Sequence, residues 1–243
     1  HLDSLDVCGA LKINNFKIDV VDVAKELVFA KNPDGTSPNM DGLLGLKFLM
    51  KSQAVISYPE QALFIPATGN TADAYLKQSR AAGDRVIPMV KASTGGAYIP
   101  IAFGDKEYLF LVDNAAGSNV IEPTIAKELG LEKIENTTKV SGAGGSTKGV
   151  EVYIASNVVI GGMVKLPKFD FLGMATPANL GLPEGKLYGG ILGNPFLKQL
   201  GARLDFGSYH MMLPPPGQQG DAGKKVIPLA IPNGADADAA VDI

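Results

Sequence analysis

Short apolar runs separated by turn residues recur along the chain, and this pattern predicts a mainly β fold. The runs Tyr98–Phe103 and Tyr108–Val112 flank the dipeptide Gly104-Asp105, which predicts a tight hairpin. Asn14-Asn15 lies between two further apolar runs and predicts a second hairpin near the start of the chain. The alternation of short strands and turns favours a barrel or sandwich over a helical bundle.

Only a few short segments carry helix signals. The segment Asp73–Ala82 stops at Gly83, a residue that commonly ends helices. The segment Pro123–Leu129 starts with proline and is followed by Gly130, which is the usual asymmetry of helix ends. The sequence therefore predicts short helices set between strands.

Composition narrows the class of protein further. Of 243 residues, 46% are hydrophobic and 19% are charged, which suffices for a sizeable core and excludes wholesale disorder. The net charge is -3 and the basic residues are scattered, so we expect no nucleic-acid partner. No apolar run approaches the roughly 20 residues that a membrane helix needs. Cys8 stands alone and His1 and His210 lie far apart, so we expect no metal and no cofactor.

An internal repeat is the most informative pattern in the chain. The stretch Asp41–Leu49 parallels Gly189–Leu197, with Leu43-Leu44-Gly45 in the first and Ile191-Leu192-Gly193 in the second. A hairpin is predicted before each stretch, and two short strands are predicted after each. We therefore predict two tandem, related copies of one domain.

The copies are unequal, and this sets the expected domain boundaries. Residues 1–67 are predicted to form the C-terminal half of a first copy, and residues 68–89 a linker with a short helix. Residues 90–213 are predicted to form a complete domain, followed by a Pro- and Gly-rich tail at 214–243 with one strand at Val226–Leu229. The chain begins with His, so we expect a processed N-terminus and a periplasmic or secreted location.

Asp113 is the strongest candidate for chemistry. It ends the apolar run that starts at Leu109, and the small-residue turn Asn114, Ala115 and Ala116 follows it. A carboxylate at the end of a buried strand is costly unless hydrogen-bond donors reach it, and small residues let backbone N–H groups do so. A solvated turn carboxylate or a helix cap is the alternative interpretation.

Together these motifs resemble the retropepsin-like aspartic peptidases, including tandem bacterial versions. The resemblance implies a closed β-barrel of the acid-protease (retropepsin or pepsin-like) type, with Asp113 as a catalytic residue. It implies that Ile191-Leu192-Gly193 closes a ψ-shaped loop beside Asp113, with Leu43-Leu44-Gly45 as the counterpart in the first copy. It also implies that Gly142-Ala143-Gly144-Gly145 forms a flap that binds substrate backbone.

Two departures from the family pattern stand out. The family's Asp-Thr/Ser-Gly motif is replaced by Asp113-Asn114-Ala115. In the family the hydroxyl locks two catalytic loops together and the glycine gives the main chain access, so we expect Asn114 to be a polar substitute and Ala115 to strain the loop. The first copy also has no matching Asp motif, because Asp34-Gly35-Thr36 has another order and context.

The resemblance implies an aspartic endopeptidase that hydrolyses peptides with a water activated by two carboxylates sharing one proton. Because the chain offers Asp113 alone, we expect its partner from a homodimer or from a cleaved N-terminal fragment that stays bound. The alternative is a catalytically inactive pseudoprotease that binds peptides or proteins. A β-barrel that binds small molecules is a third hypothesis. The substrate of the enzyme would be a peptide or an unfolded protein.

Overall fold

The computed structural model of the chain describes residues 2–7, 11–17, 43–66, 72–134, 140–142, 145–147, 150–176, 181–215 and 240–242. The first strands are β1 (Leu2–Val7), β2 (Leu11–Phe16), β3 (Val55–Ser57), β4 (Ala62–Phe64), β5 (Arg85–Pro88), β6 (Val90–Lys91), β7 (Ala97–Phe103), β8 (Lys106–Asp113) and β9 (Val120–Ile121). The later strands are β10 (Glu132–Ile134), β11 (Val140–Gly142), β12 (Gly145–Thr147), β13 (Val152–Ile160), β14 (Val164–Gly173), β15 (Tyr188–Gly193), β16 (Arg203–Asp205), β17 (His210–Leu213) and β18 (Ala240–Asp242). The helices are α1 (Leu46–Lys51), α2 (Ala72–Ala81), α3 (Pro123–Glu128) and α4 (Asn194–Gln199).

Six strands close into a barrel. Neighbouring strands follow the order β13-β14-β9-β15-β8-β7, and β7 pairs back onto β13. The β8–β15 and β14–β9 pairs are parallel, and the other pairs in the ring are antiparallel. Closure satisfies the backbone groups that an open sheet edge would leave unpaired. The predicted mainly β fold with a closed barrel is confirmed.

An aromatic cluster fills the barrel and extends to α4. Phe110 packs against Phe171 with ring centroids 5.5 Å apart, and Phe103 lies within 6.1 Å of both. Phe169 joins this group to Phe196 of α4 across 4.3 Å. All five rings are buried, so the cluster fixes α4 against the end of the barrel.

One hairpin and two helices lie where the sequence predicts them. The Gly104-Asp105 hairpin is confirmed, because β7 and β8 pair up to Phe103 and Lys106 on either side of it. The helices predicted at Asp73 and Pro123 are confirmed as α2 and α3. Within the described residues, no helix is long and apolar enough to cross a membrane.

The turn expected at Asn14-Asn15 is wrong. Both residues lie inside β2, which pairs antiparallel with β1 through Ser4 and Asn14. β1 pairs with β2 on both sides of Asn15, and this pairing overrides the local turn preference of asparagine. The strand predicted at Val226–Leu229 lies outside the described residues.

A second, six-stranded sheet joins segments that are far apart in the sequence. Its order is β18-β4-β3-β16-β17-β5, so β3 and β16 meet at its centre. Two reciprocal hydrogen bonds extend this pair: Tyr58 N–H donates to Ala202 O at 3.0 Å, and Phe206 N–H donates to Ala54 O at 3.1 Å. β18 lies at one edge of this sheet, where it pairs antiparallel with β4.

The two segments that meet at the centre have the same local geometry. α1 begins after Gly45, which is extended with φ -81° and ψ -179°, and α4 begins after Gly193, with φ -89° and ψ 170°. Beyond the helices, Gln53 and Gly201 have positive φ of 52° and 61°. Each helix is thus preceded by an extended glycine and followed by a left-handed residue that turns the chain into a strand.

A buried ionic network connects three parts of the chain. Arg203 of β16 donates to both Glu60 carboxylate oxygens, at 3.2 Å and 2.6 Å, and its other terminal nitrogen lies 3.4 Å from Asp84 Oδ2. The three side chains are only 10%, 11% and 6% exposed. Charges this buried are retained only when they are paired, so the network holds the loop after β3 and the residue before β5 against β16.

Asp205 gives a testable pH dependence of stability. Its carboxylate is buried and accepts hydrogen bonds from Gly207 N–H (2.9 Å), Ser208 N–H (3.0 Å) and Ser208 Oγ (2.6 Å). Burial raises the pKa of Asp205, against the opposing effect of these hydrogen bonds and of His210. Asp205 therefore keeps its proton to a higher pH in the folded state than in the unfolded state. Its contribution to the free energy of unfolding falls as pH rises above about 3.8, the ordinary pKa of an aspartate.

We therefore expect the unfolding free energy of Asp205→Asn, relative to wild type, to increase as pH rises through the acid range. Denaturant titrations at several pH values measure this difference, with Asp105→Asn in the exposed hairpin turn as the control. A difference between wild type and Asp205→Asn that stays constant with pH would contradict this interpretation.

Candidate active site

The structure brings Asp113 and the predicted closing strand together. Asp113 is the last residue of β8, which runs parallel to β15 with Gly193 opposite Asp113. Leu192 is fully buried in the hydrophobic core, while Asp113 is half-buried at the strand end. β8 and β15 are far apart in the sequence, and their parallel pairing forms the crossing that the family resemblance implies.

One backbone N–H group of the turn binds the Asp113 carboxylate, and another binds the Asp113 main-chain carbonyl. Ala115 N–H donates to Asp113 Oδ1 at 2.9 Å, and Ala116 N–H donates to the Asp113 carbonyl at 3.2 Å. Ala116 O in turn accepts from Asn194 N–H at 2.8 Å, which ties the turn to the start of α4. Ala115 is exposed and does not have a positive φ, so the strain expected from its methyl group does not arise.

Asn119 is a site residue that the sequence analysis missed. Its Oδ1 accepts from Gly193 N–H at 3.0 Å, and its Nδ2 donates to Asp170 O at 3.4 Å. It therefore joins the turn after Asp113 to the closing strand. Asn114, the expected polar substitute, is exposed and makes no side-chain hydrogen bond within the described part of the chain. A polar residue just before the β9 strand is the signal that could have indicated Asn119.

Gly193 is required where the turn crosses the closing strand. A Cβ atom there would collide with Ser118 O and lie 2.8 Å from Ala116 O, both of which are backbone atoms. At Gly45, the corresponding residue before α1, a Cβ atom would meet nothing within 4 Å. The same residue type therefore has a steric role at one position and none at the other.

These two glycines make a matched pair of variants. Gly193→Ala should lower the free energy of unfolding by about 1–3 kcal/mol, because the turn must move away from the added methyl group. Gly45→Ala should leave stability unchanged or raise it by up to about 1 kcal/mol, because alanine reduces the conformational entropy of the unfolded chain. Urea denaturation of both variants checks this expectation. Equal effects of the two substitutions would exclude the steric role of Gly193.

Two tyrosines lie within the electrostatic influence of Asp113. Burial raises the pKa of Tyr58 well above its usual range, and the charge of Asp113 adds to this effect. Burial also raises the pKa of Tyr188 to about 12, opposed by a hydrogen bond with Thr176, with smaller contributions from Glu122 and Asp113 among others. Both phenols therefore stay neutral at physiological pH and keep their O–H groups as donors.

The structure also describes parts of the predicted flap and of the segment Leu43-Leu44-Gly45. β11 and β12 pair as a hairpin with Gly142 opposite Gly145, while Ala143 and Gly144 lie outside the described residues. Leu43 and Leu44 are 65% and 50% exposed, unlike the closing strand that they resemble in sequence. In the described part of the chain, no group of His, Cys, Asp and Glu side chains is arranged to hold a metal ion.

The closed barrel, its ψ-shaped crossing and the carboxylate at that crossing define an aspartic-protease-like domain. Residues 99–196 match a protein-family model described as "Aspartyl protease". This match covers the barrel, and it confirms the resemblance to aspartyl proteases that the motifs indicate.

A solved structure and the curated proteins complete the comparison. The chain is similar to a crystal structure of a retropepsin-like aspartic protease from Rickettsia conorii. The two share 20% sequence identity, and the similarity covers 54% of this chain and 89% of the other with a TM-score of 0.36. No curated protein matches the chain significantly.

Proposed function

We propose that the chain is an aspartic endopeptidase in which Asp113 is one member of a catalytic carboxylate pair. The observation that carries this proposal is the position of Asp113: at the end of β8, held by Ala115 N–H, opposite Gly193 of the closing strand. A half-buried carboxylate with one side open is available to a water molecule and a substrate.

The proposed reaction requires two carboxyl groups that share one proton. The ionised carboxylate accepts a proton from water while the water oxygen attacks the carbonyl carbon of the scissile peptide bond. The protonated carboxyl group donates its hydrogen bond to the carbonyl oxygen, which becomes the hydroxyl of the tetrahedral intermediate. Protonation of the leaving nitrogen then completes cleavage. An extended substrate would pair with the backbone of the β11–β12 hairpin.

We propose that the second carboxylate comes from another polypeptide, either a second copy of this chain or a cleaved N-terminal fragment. Within the described residues, no other carboxylate forms a hydrogen bond with Asp113. The shared geometry of α1 and α4 and the reciprocal bonds between β3 and β16 support two related copies. The exposure of Leu43 and Leu44 supports the view that the first copy leaves its closing strand without a partner strand.

Digestion of an unfolded polypeptide tests the proposed activity. The protein is incubated with this substrate at acidic and neutral pH, with and without a pepstatin-type inhibitor, over a range of protein concentrations. We expect inhibitor-sensitive cleavage, and a specific activity that rises with protein concentration if a second copy supplies the partner. Absence of cleavage under all these conditions, or cleavage that the inhibitor does not affect, would contradict the proposal.

A non-catalytic peptide-binding module is the second candidate function. It is favoured by Asn114-Ala115 in place of the family's Thr/Ser-Gly, and by the lack, among the described residues, of a second carboxylate bonded to Asp113. Peptide affinity that survives Asp113→Ala, with no turnover in either protein, would support this alternative. The periplasmic or secreted location stays a prediction from the sequence.

A further inference from the structure

Asn119 lies directly before β9 and binds both of the strands that flank β9. Its main-chain carbonyl accepts from Leu172 N–H of β14 at 2.9 Å, and its Nδ2 donates to Asp170 O of the same strand at 3.4 Å. Its Oδ1 accepts from Gly193 N–H of β15 at 3.0 Å. The side chain of Asn119 therefore joins β14 to β15 at the point where β9 begins.

The two partners of this side chain determine which way its amide points. Gly193 offers a donor and Asp170 offers an acceptor, and an amide carries its acceptor oxygen and its donor nitrogen on separate atoms. Rotating the amide by 180° would set oxygen against oxygen at Asp170 and N–H against N–H at Gly193. Neither alanine nor an ionised aspartate at position 119 could make both bonds.

Gly193, which Asn119 binds, lies against the turn that follows Asp113. It is opposite Asp113 in the parallel β8–β15 pair. A Cβ atom on Gly193 would lie only 2.8 Å from Ala116 O, so the two backbones are in direct contact. The next residue, Asn194, donates its N–H to the same Ala116 oxygen at 2.8 Å. The turn is thus bonded to the end of the closing strand at two places, through Ala116 and through Asn119.

One of these two bonds is adjacent to the group that binds the Asp113 carboxylate. Ala115 N–H donates to Asp113 Oδ1 at 2.9 Å, and Ala115 directly precedes Ala116. Asn114, which the sequence indicated as the polar substitute in this turn, is exposed and makes no side-chain hydrogen bond within the described residues. The side chain that locks the turn to the closing strand is therefore Asn119.

We propose that Asn119 is a positioning residue for Asp113. By holding Gly193 against the turn, its side chain keeps the N–H of Ala115 in the place where it orients the Asp113 carboxylate. Asn119 does not itself touch the reacting atoms. Its effect on turnover rests on the proposed function, whereas its hold on the turn can be tested without any substrate.

Hydrogen exchange of single backbone amides tests this hold without turnover. In Asn119→Ala, the Gly193 N–H should exchange about tenfold faster than in wild type, because its acceptor is lost. The Asn194 N–H should also exchange faster, because the turn that accepts from it is then free to move. Phe206 N–H, which is bonded in the six-stranded sheet, should keep its wild-type rate. Unchanged exchange at Gly193 or Asn194, or equal acceleration at all three amides, would overturn the proposal.

Asn119→Asp provides a second test, because aspartate reproduces the asparagine pattern only when it is protonated. A neutral carboxyl group has an O–H donor and an acceptor oxygen, so it can bind both Asp170 O and Gly193 N–H. The ionised carboxylate offers acceptors alone and would set oxygen against oxygen at Asp170. We therefore expect kcat to be close to that of wild type at about pH 3 and to fall about tenfold below it as pH rises above about 5. KM should change little, because Asn119 does not contact the substrate.

Asn157→Asp is the matched control for this pH profile. Asn157 is exposed in β13 with φ 56°, a conformation that aspartate also tolerates, so this variant adds the same charge outside the turn. Its kcat relative to wild type should stay constant with pH. A constant ratio for Asn119→Asp would overturn the proposal. If wild type cleaves no substrate while the exchange pattern is as expected, the endopeptidase function is wrong and the hold of Asn119 on the turn stands.

Discussion

Arg203→Ala is expected to lower the free energy of unfolding by about 3–5 kcal/mol. The substitution leaves the carboxylates of Glu60 and Asp84 buried without their cation, and an uncompensated buried charge is far more costly than a lost surface pair. The guanidinium also contributes two parallel hydrogen bonds to Glu60, a geometry that lysine cannot reproduce. Arg203→Lys should therefore recover only part of the loss.

Lys106 provides the matched control for Arg203. Its amine lies 2.6 Å from Glu128 Oε1, but the two side chains are 50% and 53% exposed. Lys106→Ala should therefore leave the unfolding free energy almost unchanged. Guanidinium chloride denaturation measures both values. If Arg203→Ala were as mild as Lys106→Ala, the buried network would not hold the β3 loop and the residue before β5 to β16.

Asp113→Asn is expected to slow peptide hydrolysis by about 10²- to 10⁴-fold, the usual contribution of a general base. An amide is isosteric with the carboxylate but cannot accept a proton from water. Its Oδ1 can still accept the hydrogen bond from Ala115 N–H, so the turn should keep its structure. We expect the melting temperature of the variant to lie close to that of wild type.

Asp105 supplies the control for this substitution. It lies in the exposed turn of the same hairpin, and it has no role in the proposed mechanism. Asp105→Asn should keep the hydrolysis rate of wild type. Circular dichroism of both variants separates a chemical effect from a loss of structure.

The sequence predicted the barrel well because short segments carry the signals for its hairpin, its helix and its strand crossing. The hairpin at Gly104-Asp105, the helix after Pro123 and the crossing of Asp113 with Ile191-Leu192-Gly193 each follow from residues close together in sequence or from a motif. The family match at residues 99–196 covers this same region. Backbone propensity, turn chemistry and burial agree there, so the pattern and the structure coincide.

Long-range pairing could not be predicted in the same way. The turn at Asn14-Asn15 failed because β1 supplied a partner strand that no local rule could weigh. The role of Asn119 depends on which distant backbone group lies opposite it in the folded chain. A polar residue in a turn has many structural uses, so the sequence alone could not distinguish Asn119 from Asn114.

The most direct test of the account is the production of new peptide ends from an unfolded polypeptide. Wild type and Asp113→Asn are prepared identically, incubated with the substrate, and the products are counted by mass spectrometry. The account predicts cleavage by wild type that is at least about 100-fold faster than cleavage by the variant. Equal rates for the two proteins would show that Asp113 is not the catalytic carboxylate.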